Sequence, residues 1–237
     1  MKIKNYIPNF ITSLNMLSGF IAIILTSQNN YKLAIIFILL AALFDVLDGL
    51  FARFLDSTSK IGVQLDSLSD LVSFGVAPAY LLYNIKLYEL GYVGAIISGF
   101  FMLMGGFRLA RFNVQLVGFN KEYFNGIPIP TGAILLLSFV YNFYIIDSYD
   151  NNFIFLNNYL IVLYTLFVSL MMVSNFKYPT IAVLLKNSRI PTFLSILFGI
   201  IFAVLFIITT GKFVFYVFVL YLIYGLIFSL VNGKENV

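Results

Sequence analysis

The chain contains no cysteine, no histidine and no tryptophan. Without cysteine there is no disulfide, no thiolate nucleophile and no sulfur ligand for a soft metal. Without histidine, the imidazole base and the commonest zinc ligand are missing as well. Any metal held here must therefore be a hard cation on oxygen ligands: magnesium, manganese or calcium. Charge is also scarce: 10% of the 237 residues are charged against 61% hydrophobic, and mean hydropathy is +0.99. This is the composition of an integral membrane protein, not of a soluble domain with a large core. Tyr and Phe are left to furnish the interfacial belts. The net charge of +4 is spread over loops, so no basic patch points to nucleic acid. The start, Met1-Lys-Ile-Lys-Asn, leads into an apolar run with no small-residue cleavage pattern.

What is present is a series of apolar runs. After a short basic lead-in over residues 1–10, they fall at roughly 11–27, 31–55, 60–84, 92–116, 129–146, 153–174, 192–210 and 213–231. Each is near the ~20 residues a helix needs to cross the hydrocarbon, which predicts an all-α, polytopic membrane protein with about eight transmembrane helices. No repeat or boundary divides residues 1–237 into more than one domain. Placing the amino terminus in the cytoplasm puts eleven Lys and Arg on that side, Arg53, Lys60, Arg108, Arg111 and Lys121 among them. Three, Lys32, Lys86 and Lys212, fall on the other. That bias predicts cytoplasmic termini at both ends. The runs 153–174, 192–210 and 213–231 carry almost no polar residue except Tyr, Ser and Thr and read as scaffold or dimer contact.

Against this apolar background four carboxylates stand out between Asp45 and Asp70. An ionised carboxylate at membrane depth is costly, and such residues usually face a polar cavity or a partner. Asp45 and Asp48 are three apart, with Gly49 and Ala52 continuing the same face. Gly62, Asp66 and Asp70 repeat at intervals of four. Each set forms one stripe on its helix. The turn Asp56-Ser57-Thr58-Ser59 is rich in helix-capping residues and fits a tight antiparallel hairpin. At 1.5 Å per residue, Asp45 then lies about 15 Å and Asp66 about 9 Å from the turn, so the acidic space opens to the cytoplasm at shallow depth. Four close carboxylates repel strongly at low dielectric. With only oxygen donors at hand they make a seat for two divalent cations, Mg2+ or Mn2+, as used in phosphoryl transfer. Asp70, nearest the membrane centre on its helix, is the candidate general base.

The order Asp-x-x-Asp-Gly-x-x-Ala-Arg-x8-Gly-x3-Asp-x3-Asp over residues 45–70 resembles the signature of the CDP-alcohol phosphotransferase family, with every fixed position filled. The resemblance implies a membrane enzyme with a six-helix core, generally a homodimer. Such an enzyme transfers a phosphatidyl-type group from a CDP-linked lipid to an alcohol and releases CMP. It makes Asp45, Asp48 and Asp66 metal ligands, and Asp70 both a ligand and the base. Gly49, Ala52, Arg53 and Gly62 would meet the donor, with Ser59 on its diphosphate. Pro8-Asn9-Phe-Ile-Thr12-Ser-Leu-Asn15 looks like the start of the first helix of phosphatidylserine synthases, which implies donor contacts from Asn9, Thr12 and Asn15. The stretch Leu65-Asp66-Ser67-Leu68-Ser69-Asp70 is similar to the serine-synthase form of the second half-motif. So are Phe107-Arg108-Leu-Ala-Arg111-Phe112-Asn113 and Phe124-Asn-Gly126-Ile-Pro128-Ile-Pro130. The likeness ends near residue 132.

Elementary chemistry fits an L-serine acceptor. Arg108 and Arg111 lie three apart on one helix face, and an amino-acid carboxylate is a bidentate partner for Arg. Lys121 would add field or hold phosphate, and the resemblance adds Asn113 to the acceptor set. The same positive residues also read as ordinary cytoplasmic anchors. A glycerol phosphate or inositol phosphate acceptor would need a denser basic pocket. A cation transporter using the four acids would show inverted repeats and polar residues across the bilayer, and the far halves of these helices lack them.

Overall fold

The computed structural model describes residues 6–55, 57, 59–115, 123–146, 158–179 and 212–232. They are almost wholly helical, in the order α1 (Tyr6–Ser27), α2 (Tyr31–Phe54), α3 (Lys60–Asp70), α4 (Ala77–Ile85), α5 (Tyr92–Gln115), α6 (Ile129–Val140), α7 (Asn158–Val173) and α8 (Lys212–Asn232). A π-helical turn, Leu71–Val76, fuses α3 to α4, and another, Tyr141–Ile146, extends α6. The expected span at 192–210 lies outside the described residues.

Among the described residues, three helices, Tyr6–Ser27, Tyr31–Phe54 and Tyr92–Val114, are long and apolar enough to cross a membrane. Ile129–Ile145, Tyr159–Val173 and Phe213–Ser229 are shorter apolar helices. Large apolar side chains on the outer faces, among them Leu17, Phe20, Leu43, Val46, Ile96 and Phe107, are exposed, as suits helices solvated by lipid. Inside, Ile38, Phe74, Leu81, Phe101, Ile129, Leu136 and Ile161 are fully buried and form the packed centre.

The basic lead-in expected over residues 1–10 gives way to helix at Tyr6. Pro8 permits this, because it falls in the first turn, where backbone amides have no intrahelical partner. α3 starts at Ser59, whose side chain accepts from the Gly62 amide as an N-cap. The apolar run 60–84 reads from sequence as plain α-helix, yet its ladder widens before Pro78: the Ala77 amide donates to Val72, five residues back. Proline has no amide, and its ring crowds the carbonyl four residues behind. A widened turn just ahead of it relieves that conflict.

α1 packs against both α2 and α3, whereas α2 and α3 touch each other little. This corrects the expected tight hairpin: the two acidic helices splay, and α1 floors the gap between them. Close approach of α1 to the π turn depends on Gly19, where an added Cβ would collide with the Oγ of Ser73. Two hydroxyls stitch the contact, Ser69 donating to the Thr12 carbonyl at 2.8 Å and Ser73 to that of Asn15 at 2.9 Å.

A second departure from an all-helical chain is a two-stranded antiparallel ribbon. It pairs β1 (Tyr123–Asn125) with β2 (Lys177–Pro179). The turn after β1 needs Gly126, whose φ is +75°; a Cβ there would strike the Met172 carbonyl oxygen. Pro128 and Pro130 then open α6, where missing amides do no harm.

Candidate active site

Asp45 and Asp48 on α2 and Asp66 on α3 each offer a carboxylate oxygen, and these oxygens all lie within 4.8 Å of one another. Asp70 meets the same group, its carboxyl within hydrogen-bonding reach of Asp45. Asp48 and Asp70 are buried, 6% and 8% exposed. The Asp48 side chain is fixed by the Thr12 hydroxyl, which lies 2.6 Å from Oδ2 and 3.0 Å from the Pro8 carbonyl. One oxygen of Asp70, Oδ1, is buried without a hydrogen-bond partner. Buried polar atoms are rarely left so.

These features fit a hard divalent cation. Ligand bonds of about 2.0–2.6 Å put two oxygens on one ion no more than about 5 Å apart, the spread seen for Asp45, Asp48 and Asp66. The donor set is all oxygen, and the unpartnered Asp70 Oδ1 adds a buried oxygen donor to it. Buried acids so close to one another need positive charge to offset their repulsion. Arg108 on α5, 8% exposed, supplies part of it: it interacts electrostatically with Asp70 and Asp45 and stacks over Phe112, 5.3 Å from the ring centre.

Beside the acids lies a cleft of about 120 Å3, lined by Pro8, Asn9 and Thr12 of α1, Asp48, Gly49 and Ala52 of α2, Ser57 and Ser59 of the turn, and Gly62, Val63 and Asp66 of α3. A Cβ built on Gly49 meets nothing within 4 Å. The glycine thus leaves bare backbone facing open space where a ligand can approach closely.

The model of the CDP-alcohol phosphatidyltransferase family matches residues 5–171, which takes in α1 to α6, most of α7, the acids and the whole cleft, and extends the likeness beyond residue 132, where the motifs legible in the sequence end. The chain belongs to that family. Among its relatives, the CDP-diacylglycerol–serine O-phosphatidyltransferase of Methanocaldococcus jannaschii is 43% identical over 173 residues, 73% of either chain. That of Helicobacter pylori strain 26695 is 33% identical over 198 residues, 82% of this chain and 81% of its own. The archaetidylserine synthase of Methanothermobacter thermautotrophicus is 37% identical over 187 residues, 76% of this chain and 73% of its own.

For a CDP-alcohol phosphatidyltransferase, the residues expected at the donor divide into two groups. Asn9, Thr12, Gly49, Ala52, Ser59 and Gly62 come together around the cleft. Arg53 is exposed outside that lining, its Nε donating to the Gly49 carbonyl at 3.1 Å. Asn15 is fully buried, and neither Nδ2 nor Oδ1 has a partner. The residues expected at the acceptor divide as well. Arg108 lies beside the acids. Arg111 turns to the ribbon: its guanidinium donates to the carbonyls of Asn125 at 2.6 Å, Val173 at 2.8 Å, Ser174 at 3.2 Å and Met172 at 3.4 Å, and to Asn175 Oδ1 at 3.4 Å. Asn113 donates to the Ser67 hydroxyl at 2.9 Å and ties α5 to α3. Lys121 lies outside the described residues.

Pro8, Ser57 and Val63 line the cleft without having been singled out from sequence. Ser57 carries a signal, since it sits in the Ser- and Thr-rich turn between the two acidic stripes, but in that turn only Ser59 is given a donor role from sequence and the rest reads as capping.

Proposed function

We propose that this CDP-alcohol phosphatidyltransferase moves the phosphatidyl group of a CDP-lipid, CDP-diacylglycerol or an ether-linked equivalent, to the hydroxyl of L-serine. The products are phosphatidylserine, or its ether-lipid counterpart, and CMP. The observation that carries this reading is the acidic cluster of Asp45, Asp48 and Asp66 opening onto a cleft walled by glycine, alanine and serine. Relatives at 33–43% identity that are named for transfer to serine add serine as the acceptor.

In the reaction, the serine oxygen attacks the phosphorus that bears the lipid alcohol. The bond from that phosphorus to the CMP oxygen breaks, CMP carries away the electron pair, and Asp70 takes the hydroxyl proton. Asp45, Asp48, Asp66 and Asp70 would hold two divalent cations, Mg2+ or Mn2+, which when bound neutralise the diphosphate and stabilise the attacking and leaving oxygens. The protein's own contribution is placement. Thr12 fixes Asp48, Gly49 and Ala52 admit the diphosphate, and Arg108 meets the serine carboxylate with its fork of donors. Arg111 braces the ribbon behind the acceptor, with Asn113 keeping α5 on α3. Asn9 and Ser59 complete the donor surroundings on the cleft, and the family resemblance adds Arg53 and Asn15, which lie outside its lining. With Arg111 engaged, Arg108 is the buried cation beside the acids among the described residues, which suits a carboxylate better than a phosphate-bearing acceptor.

We further take the whole chain as one multi-pass membrane domain of about eight spans, acting as a homodimer. Both termini and the mouth of the cleft face the cytoplasm, the side favoured by eleven of fourteen Lys and Arg. The test is CMP release by purified protein from CDP-diacylglycerol with a panel of labelled alcohols. Serine should drive release and glycerol 3-phosphate or inositol phosphate should not. Asp70→Asn should abolish turnover while CDP still binds. Release driven equally by other alcohols would remove serine, and near-normal rates in D70N would remove the base.

A further inference from the structure

The turn between α2 and α3 carries two serines on the cleft, Ser57 and Ser59, and their hydroxyls stand differently. Ser59 is the N-cap of α3: its Oγ accepts the Gly62 amide at 2.9 Å. Ser57 is 7% exposed, and its Oγ is buried with no hydrogen-bond partner. Its backbone is pinned, because the Ser57 amide donates to the Ala52 carbonyl at 3.0 Å and closes the end of α2. The hydroxyl is thus held in place, shielded from water and unsatisfied, a state that native structures rarely leave without a ligand or ordered solvent.

The surroundings specify what it takes. Asp48 and Asp66 line the same cleft, yet neither accepts from Ser57, so the hydroxyl is not simply another support for the acids. It lies two residues ahead of the N-cap of an eleven-residue helix, whose amino-terminal end favours anions. An O–H donor there calls for an anionic oxygen acceptor.

We propose that Ser57 is a donor-binding residue, its hydroxyl donating to a phosphate oxygen of the nucleoside diphosphate. The Ser59 side chain serves chiefly to start α3. This inference rests on the reading of CDP-lipid as donor. It gives to Ser57 a role that the family resemblance would give to Ser59.

Loss of one hydrogen bond to a charged oxygen weakens binding about tenfold to hundredfold. The full chain, purified with Mn2+ present, serves for the test. The readouts are Kd for CDP, KM for CDP-diacylglycerol, KM for serine, kcat and the thermal midpoint without nucleotide. Ser57→Ala and Ser57→Gly should each raise the CDP Kd and the CDP-diacylglycerol KM by about tenfold or more. In both, serine KM should stay at the wild-type value. Ser57→Ala should melt no lower than wild type, since it removes an unsatisfied buried hydroxyl. Ser59→Ala should instead lower the thermal midpoint through loss of the cap. If S57A and S57G bind CDP within about twofold of wild type, a factor too small for a lost hydrogen bond, this inference fails alone. If wild-type protein binds neither CDP nor CDP-diacylglycerol, the donor reading fails with it.

Discussion

Gly49 offers a substitution in which stability and function should move in opposite directions. It lies inside α2, and a Cβ there meets nothing within 4 Å, so alanine fits without strain. Glycine in a helix interior is about 0.8–1.0 kcal/mol less favourable than alanine. Gly49→Ala should therefore stabilise the protein by up to that amount, a rise in melting temperature of about 2–4 °C for a chain of this size. The same methyl projects into the cleft of about 120 Å3 beside Asp48 and Asp66, where the donor diphosphate is to pass close to bare backbone. Crowding of that kind costs about 1–3 kcal/mol, or about a 5- to 150-fold rise in the CDP-diacylglycerol KM. Thermal unfolding in detergent, run beside steady-state CMP release at varied donor and saturating serine, measures both effects. A variant that melts higher and still shows wild-type KM and kcat would refute the reasoning, since nothing would then approach the Gly49 backbone.

Other substitutions separate the supports of the site. Thr12→Val removes the hydroxyl 2.6 Å from Asp48 Oδ2; loss of such an outer-shell partner should weaken divalent-ion binding by about 10–100-fold, read by Mn2+ titration of the purified protein. Arg111→Ala leaves four backbone carbonyls at the end of α7 and β1 short of their donor and should destabilise by on the order of 2 kcal/mol. In a denaturation series, Arg111→Lys should recover only part of this, because an ammonium cannot span the same fork of acceptors. Gly19→Val drives α1 away from Ser73 and should lower stability by about 1–3 kcal/mol. It should lower kcat too, because the Ser69 and Ser73 bonds to α1 flank Asp70.

Much of the site is legible in the residues themselves. Asp45 with Asp48, and Asp66 with Asp70, lie at helical spacing in apolar runs, so the grouping of Asp45, Asp48 and Asp66 follows from local periodicity plus one short connection. The small residues Gly49, Ala52 and Gly62 follow the same stripes into the cleft. What could not be read depends on partners far along the chain. Arg111 and Arg108 share a helix face by spacing, but only the folded ribbon and the end of α7, some sixty residues on, decide that Arg111 meets carbonyls. Asn113 finds Ser67 across two helices for the same reason. The π turn before Pro78 is local in cause, yet a plain hydrophobic pattern does not distinguish it from α-helix. The splay of α2 from α3 leaves no mark on periodicity at all, because it is set by α1 filling the space between them.

Everything here turns on whether the four aspartates carry metal for phosphatidyl transfer. Mn2+ titrated into metal-free protein in the presence of CDP, with bound ion counted by electron paramagnetic resonance and CMP release from CDP-diacylglycerol and serine followed in parallel, decides it. Two ions per chain should bind, release should rise as they do, and both should be lost in Asp45→Asn and Asp66→Asn. CMP release that persists at full rate in excess chelator, or stoichiometric Mn2+ binding unchanged in those variants, would contradict it.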